Sequence, residues 1–175
     1  MDRVLPTIIV VAVLVLVLLL MLRGWRRRTR RDSTAGGGYE APATASGALA
    51  EAETFYVATT RSGEHLERLA IPGLAFRGRG RVTASVDGVT IAVKGESPVF
   101  VAAQALAAIG ATNTAIDRVV EKDGLLRLSW ITTAGVAVDS FLRVVDPADR
   151  PQLIGAVNSI LPAQSQSGQT TESEV

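Results

Sequence analysis

Cysteine is absent from this chain of 175 residues, and histidine occurs once, as His65. Because there are no thiols, the sequence excludes disulfide bonds, thiolate metal sites and cysteine nucleophiles. His65 has only Glu64 and Glu67 nearby, too few ligands of the right type for a metal site, and no serine lies in a G-x-S-x-G motif. We therefore expect no catalytic residue, no metal and no cofactor, and we interpret His65 as a solvated loop residue.

An excess of charge of one sign is also missing. The chain has 18 Lys and Arg against 17 Asp and Glu, and residues 54–162 have 11 against 10. This near-zero charge balance argues against a general nucleic-acid-binding surface. The sequence therefore predicts no nucleic-acid partner.

Long hydrophobic runs are missing except for one, residues 4–22, which carries no charge. As a helix this run is about 28 Å long, close to the hydrocarbon thickness of a bilayer. Positive charge follows the run, with no small-residue cleavage site between them, so a retained anchor is favoured over a cleaved signal peptide. Because Lys and Arg beside a span stay in the cytoplasm, we expect the N-terminus outside the plasma membrane and the later residues inside.

Six arginines follow the span within nine residues. This cluster is expected to set the topology, and in a second interpretation it also attracts anionic lipid, at about 1 kcal/mol per basic residue near a charged leaflet. Trp25 is expected to act as an interfacial anchor. The side chains expected at the membrane interface are Arg23, Trp25, Arg26, Arg27, Arg28, Arg30 and Arg31.

Composition divides the chain into four parts. Residues 1–31 form a transmembrane anchor with a basic collar. Residues 32–53 are rich in Gly, Ala, Ser and Thr and predict a flexible linker, while residues 163–175 predict a disordered polar tail. The remaining residues, 54–162, have the size of one domain with one core.

Inside the domain, apolar residues alternate with a period of two, which predicts strands. The strongest signal is a hairpin of residues 82–86 and 89–93, for which Asp87 and Gly88 provide a two-residue turn. Further strands are predicted at residues 54–60, 68–71, 115–121, 125–132 and 136–144. The short turns between the last three favour antiparallel pairing.

Two segments break this alternation. Residues 98–109 are rich in alanine and predict a strand followed by a helical turn or a short helix. Near the end, Asp146 and Pro147 predict the start of an amphipathic helix. Its apolar face would contain Leu153, Ile154, Val157, Ile160 and Leu161. The sequence thus predicts a mainly β domain that closes with one C-terminal α-helix.

Several stretches of the domain are similar to a known family: IPGLAFRG at residues 71–78, DGV at 87–89, GESP at 95–98, DGLLRLSW at 123–130 and VDSFLR at 138–143. They resemble the bacterial PH-like domain of small actinobacterial membrane proteins with a single N-terminal span. The resemblance implies a PH-like antiparallel barrel or sandwich. Members are sometimes labelled transporter or export protein, but one helix cannot build an alternating-access path.

Arg77, Arg79 and Arg81 alternate with glycines and are the candidate binding residues. Side chains alternate across a strand, so an extended backbone puts all three on one side. There they would meet a phospholipid head group, a carboxylate-bearing partner, or only water and the domain's own acidic residues. We expect Arg143 to pair internally with Asp139 beside the core.

Trp130 is expected in the core, with one wall of a peptide-binding groove as the alternative. Together these features predict a membrane-anchored, cytoplasmic, non-catalytic PH-like module that binds a protein partner near the inner leaflet. The alternatives are an anionic-lipid-sensing module and an accessory subunit of a membrane transport complex.

Overall fold

The computed structural model of the chain describes residues 4–33, 35–44, 46–112, 114–115, 118–119 and 124–162. Its elements, in chain order, are α1 (Val4–Ser33), β1 (Ala48–Arg61), β2 (Glu64–Arg68), β3 (Gly78–Ser85), β4 (Gly88–Val93), β5 (Val99–Ala102), a 3₁₀ helix (Ala103–Ala105), β6 (Leu106–Thr112), β7 (Thr114–Ala115), β8 (Arg118–Val119), β9 (Leu125–Ile131), β10 (Ala137–Val144) and α2 (Asp149–Ile160). The predicted fold class, mainly β with one C-terminal helix, is confirmed.

The main sheet is antiparallel, with the order β5-β4-β3-β1-β10-β9-β6, and β2 adds to β1 outside this path. β1 has 14 residues and links the two halves of the sheet, because its first part pairs with β3 and its last part with β10. The register against β10 shifts between Tyr56 and Ala58. A bulge of this kind bends a strand and increases its twist. The sheet can therefore curve around one core.

The predicted hairpin is formed by β3 and β4, but its turn lies one residue earlier than expected. Ser85 pairs with Gly88, so the two turn residues are Val86 and Asp87. A Cβ on Gly88 would lie 2.1 Å from the carbonyl oxygen of Val101 on β5. This close approach of β4 to β5 requires a residue without a side chain at position 88, inside the strand.

The alanine-rich segment differs in part from its prediction. β5 and the 3₁₀ helix match the expected strand and helical turn, but β6 then begins at Leu106 and pairs with β9. Leu106 and Ile109 are buried, so cross-strand packing overrides the helical preference of alanine. The strand predicted at residues 115–121 lies mostly outside the described residues, and its described parts belong to β7 and β8, which pair with each other.

The core lies between the sheet and α2. Asp146 accepts a hydrogen bond from the backbone N–H of Ala148 (2.9 Å), which shapes the turn before the helix. α2 contacts β1, β3, β4 and β6, and its Leu153 and Val157 side chains are buried. Trp130 is 1% exposed and lies in the core, as predicted. The helix therefore covers an apolar surface that the curved sheet leaves open.

A chain of buried hydrogen bonds crosses this core. The Tyr56 hydroxyl donates to the Leu74 carbonyl (2.9 Å) and lies 2.9 Å from Oγ1 of Thr59. Oγ1 of Thr59 and Oγ of Ser140 are 2.7 Å apart, and Nε1 of Trp130 donates to the same Ser140 oxygen (2.9 Å). Burial raises the pKa of Tyr56 above its ordinary value, and neighbouring hydrogen bonds and positive charge offset this only in part.

Residues 35–39, which the sequence assigns to the flexible linker, are docked on the domain and are called the strap below. Oγ1 of Thr132 donates a 2.6 Å hydrogen bond to the carbonyl of Ala35, which is buried. The backbone N–H of Thr133 donates to the Gly37 carbonyl (3.1 Å), and the Gly37 N–H donates to Oγ1 of Thr133 (3.1 Å). One end of the strap is therefore fastened to the turn between β9 and β10.

Tyr39 fastens the other end of the strap. Its backbone N–H donates to the Phe100 carbonyl on β5 (2.7 Å), and its hydroxyl donates to the Ile131 carbonyl (3.0 Å). β1 then begins at Ala48 instead of residue 54. The folded domain thus extends into the predicted linker. A segment with little bulk needs no core of its own when its backbone groups bond to an existing sheet.

α1 is a single helix of 30 residues. Within the part of the chain that the structure describes, only its Thr7–Gly24 segment is long and apolar enough to cross a membrane, and none of that segment is buried. The helix continues to Ser33, so one residue separates it from the strap. The N-terminal helix and the domain are therefore joined by a much shorter connection than the predicted linker.

Candidate cationic groove

β3 carries two of the three predicted arginines on one face. Arg79 and Arg81 are exposed and lie two residues apart, and Arg77 is exposed just before the strand. Gly80 points to the opposite face, where a Cβ would lie 2.2 Å from the Ala92 carbonyl oxygen. The alternation of Arg and Gly therefore lets β3 pair closely with β4 while its cations face solvent.

A cross-strand row runs over this face of the sheet. Phe55 of β1 lies directly opposite Arg143 of β10 on one side and Arg79 of β3 on the other. Lys94 is the residue that follows β4. Its backbone N–H donates to the Arg79 carbonyl (2.9 Å), which places Lys94 next to Arg79 in the row. The three cations are exposed, and Phe55 is 36% exposed between two of them. We call Arg143, Phe55, Arg79 and Lys94 the cationic row.

A second row lies beside the first and includes both charged and apolar side chains. Val145 is 62% exposed and donates its backbone N–H to the Glu53 carbonyl (2.9 Å). In the sheet, Glu53 of β1 is the cross-strand partner of Arg81 on β3, and Arg81 is the cross-strand partner of Ala92 on β4. The two rows line an open groove of about 720 Å³, called the cationic groove below. It combines apolar surface from Phe55 and Val145 with clustered positive charge.

The four cations of the groove differ in their partners. Nη1 of Arg81 lies 2.7 Å from Oε1 of Glu51, and its Nη2 lies 3.8 Å from Oε1 of Glu53. Among the described residues, no salt bridge involves Arg79, Lys94 or Arg143. The cationic row therefore has three positive charges without an ion-pair partner in this part of the chain, next to one that acidic neighbours already balance.

This arrangement is suited to binding an anion. Guanidinium groups donate two parallel hydrogen bonds to a carboxylate or a phosphate, and a half-exposed phenyl ring offers an apolar contact between them. Within the described ranges, no cluster of His, Asp and Glu has the geometry to hold a metal ion. The residues that line the groove are therefore suited to binding an anionic group.

A family profile described as bacterial PH domain-like matches residues 36–158. The chain belongs to this bacterial PH domain-like family. The match begins inside the strap, at residue 36, and ends within α2, so it covers four of the five strap residues. A comparison with curated proteins finds no match. PH-like domains are generally non-enzymatic interaction modules, and the groove described above lies on the exposed face of this chain's sheet.

Sequence reasoning missed half of this PH-like domain's cationic row and misplaced one of its members. Arg143 does not form the predicted pair with Asp139: the Asp139 carboxylate is buried and accepts a 2.5 Å hydrogen bond from Ser129, whereas Arg143 is exposed. No motif in the sequence marks Phe55 or Lys94 as a binding residue. The alternation of side chains in β1 and β10 indicates that Phe55 and Arg143 point away from the core. It does not indicate that they are neighbours.

Among the described side chains, the groove is lined by none of the predicted membrane-interface residues. His65 lies in β2 and not in a loop. Its side chain is outside the described part of the chain. Arg23 is exposed on α1. Six further predicted membrane-interface residues continue the α1 backbone, and their side chains lie outside the described part: Trp25, Arg26, Arg27, Arg28, Arg30 and Arg31.

Proposed function

We propose that this chain is a single-span membrane protein whose PH-like domain lies beside the inner leaflet and binds a protein partner at the cationic groove. The observation that carries the proposal is the cationic row, in which Phe55 lies between Arg143 and Arg79 on an exposed sheet face. Exposed aromatic and arginine side chains are the types enriched in protein interfaces. The module acts by binding and not by catalysis.

The apolar part of α1 supports the proposed anchor. Its Thr7–Gly24 segment is apolar and exposed along its whole length, a surface that a water-soluble protein rarely leaves uncovered. The basic cluster after it favours a cytoplasmic domain. Binding at the groove would then gather a partner at the inner leaflet.

A membrane test of the anchor uses the full chain in bacterial cells. We expect it to stay in the membrane pellet after alkaline extraction, and protease added outside spheroplasts should leave the domain intact. The double substitution Leu14→Arg and Leu18→Arg should release the chain, since each charge at the centre of a span costs about 2.5–3.5 kcal/mol. Digestion of the wild-type domain from outside would show that the proposed orientation is incorrect.

Partner binding is tested by a photo-crosslinking amino acid placed at Phe55 in the full chain, with Val86 as the matched control position. Val86 is 57% exposed at the β3–β4 turn and lies outside the groove. We expect a discrete protein adduct from position 55 and not from position 86. If position 55 gives no protein adduct, or gives only lipid adducts, the proposed function is incorrect.

A further inference from the structure

We propose that the occupant of the cationic groove is an extended acidic segment of a protein. Its carboxylates would bind Arg143 on one side and Arg79 with Lys94 on the other, and an apolar side chain between them would contact Phe55. This inference rests on the proposed function for the place of binding. It goes further because it names the chemistry of the partner.

The spacing of the row matches such a segment. Arg143 and Arg79 are separated by β1 alone, and neighbouring strands lie about 4.8 Å apart, so the two backbones are about 10 Å apart. An extended chain covers that distance in about three residues. Because alternate side chains of an extended segment share a face, carboxylates at positions i and i+4 with a leucine at i+2 would all face the row. The outer two positions are about 14 Å apart along the backbone, a difference that the long arginine side chains can span.

Charge complementarity points to carboxylates. Arg79, Lys94 and Arg143 have no salt-bridge partner among the described residues, whereas Arg81 is bound by Glu51 at 2.7 Å. An incoming carboxylate would gain charge-assisted hydrogen bonds from the first three without breaking an existing pair. The open apolar surface of Phe55 and Val145 supplies a contact that an inorganic anion would not use.

Acidic neighbours of the cationic row argue for a protein segment over the bilayer. Glu51 and Glu53 are exposed on the same face of β1 as Phe55. A flat anionic leaflet would bring negative charge against these two glutamates as well as the cations. A protein segment can place its carboxylates on Arg143, Arg79 and Lys94 alone.

The test measures peptide binding by fluorescence anisotropy to the full chain, one copy per phosphatidylcholine nanodisc. The labelled probe has about eight residues, with single leucines separating three pairs of glutamates, and reaches about 27 Å when extended. A matched probe has glutamine in place of every glutamate. We expect the glutamate probe to bind at least about tenfold more tightly, and added salt to weaken it.

Substitutions locate the site. Arg143→Gln and Arg79→Gln should each weaken binding of the glutamate probe by about tenfold. Arg127→Gln is the control, because Arg127 is also an exposed arginine, on β9, and does not line the groove. Circular dichroism should show that all three variants keep the fold. Equal binding of the two probes, or no effect of the Arg143 and Arg79 substitutions, would overturn the proposal.

Two other occupants appear as separate outcomes. If replacing about a third of the phosphatidylcholine with phosphatidylglycerol abolishes probe binding, the bilayer occupies the groove and the proposal is overturned. Loss of probe binding when each nanodisc holds two copies of the chain instead of one would overturn it in favour of self-association. A protein crosslink at Phe55 without binding of the glutamate probe rejects the acidic segment and leaves the proposed function in place.

Discussion

Thr132 donates a 2.6 Å hydrogen bond from its hydroxyl to the carbonyl of Ala35, 97 residues earlier in the chain. Both residues are almost fully buried. The contact joins the first docked residue after α1 to the residue that follows β9. The start of the folded domain therefore depends on a polar contact with a distant part of the chain and on the burial of Ala35 in the main core.

Thr132→Val should destabilise the domain by about 1–3 kcal/mol, because it keeps the shape of the side chain but leaves the Ala35 carbonyl buried without its hydrogen bond. Thermal unfolding of the full chain in detergent micelles, followed by near-ultraviolet circular dichroism, measures the change. Thr44→Val, at an exposed threonine, is the control and should shift the midpoint little. Equal shifts in both variants would show that the hydroxyl contact does not fasten the strap.

Two neighbouring glycines allow a sharper test of the strap. Gly36 has φ +75° and a Cβ there would lie 2.6 Å from the Ala134 nitrogen, whereas a Cβ at Gly37 would meet nothing within 4 Å. We expect Gly36→Ala to expose residues 35–39 to limited proteolysis, because both its backbone conformation and the space disfavour a side chain. Gly37→Ala should leave the cleavage rate close to that of the wild type. A strap that tolerates both substitutions equally would contradict this geometry.

Leu153→Ala in α2 should lower the free energy of unfolding by about 2–5 kcal/mol, since this buried leucine fills the space between the helix and the sheet. Gln152→Ala, at the exposed preceding position, serves as the control and should change stability by less than about 0.5 kcal/mol. Urea unfolding in micelles compares the two. A loss below about 1 kcal/mol for Leu153→Ala would mean that α2 adds little to the core.

The buried phenol of Tyr56 should make the domain less stable at alkaline pH. Burial raises its pKa in the folded state above the ordinary value, so the buried phenol contributes stability below that value, and this contribution is lost as the pH rises through the folded-state pKa. Urea unfolding between about pH 8 and 11 measures the slope. Tyr56→Phe should be less stable near neutral pH, because it loses the hydrogen bond to Leu74, but should lose stability less steeply above pH 10. Identical slopes would exclude this role for the phenol.

The elements that could be predicted from the sequence are those with a local signal. The alternation in residues 82–93 predicts the β3–β4 hairpin, and the spacing of Leu153 and Val157 predicts the buried face of α2. β6 could not be predicted in the same way. Its alanines carry little strand preference, and Leu106 and Ile109 are held in a strand by burial against β9.

The candidate site shows the same division. The alternation of Arg and Gly predicts one shared face for Arg77, Arg79 and Arg81, and β3 contains two of them, Arg79 and Arg81, two residues apart. Phe55 and Arg143 are far apart in the sequence, and their pairing depends on the register of β1 against β10. A bulge between Tyr56 and Ala58 shifts that register. No local pattern in either strand predicts which residues become neighbours.

The sequence by itself determined the apolar N-terminal helix, the alternating strands and the amphipathic C-terminal helix, because each depends on residues close together in the chain. Only the tertiary structure decided that residues 35–39 bind the domain and that Arg143, Phe55, Arg79 and Lys94 form one row. Both features depend on which distant backbone groups pair. That choice is made by the packing of the whole sheet around its core.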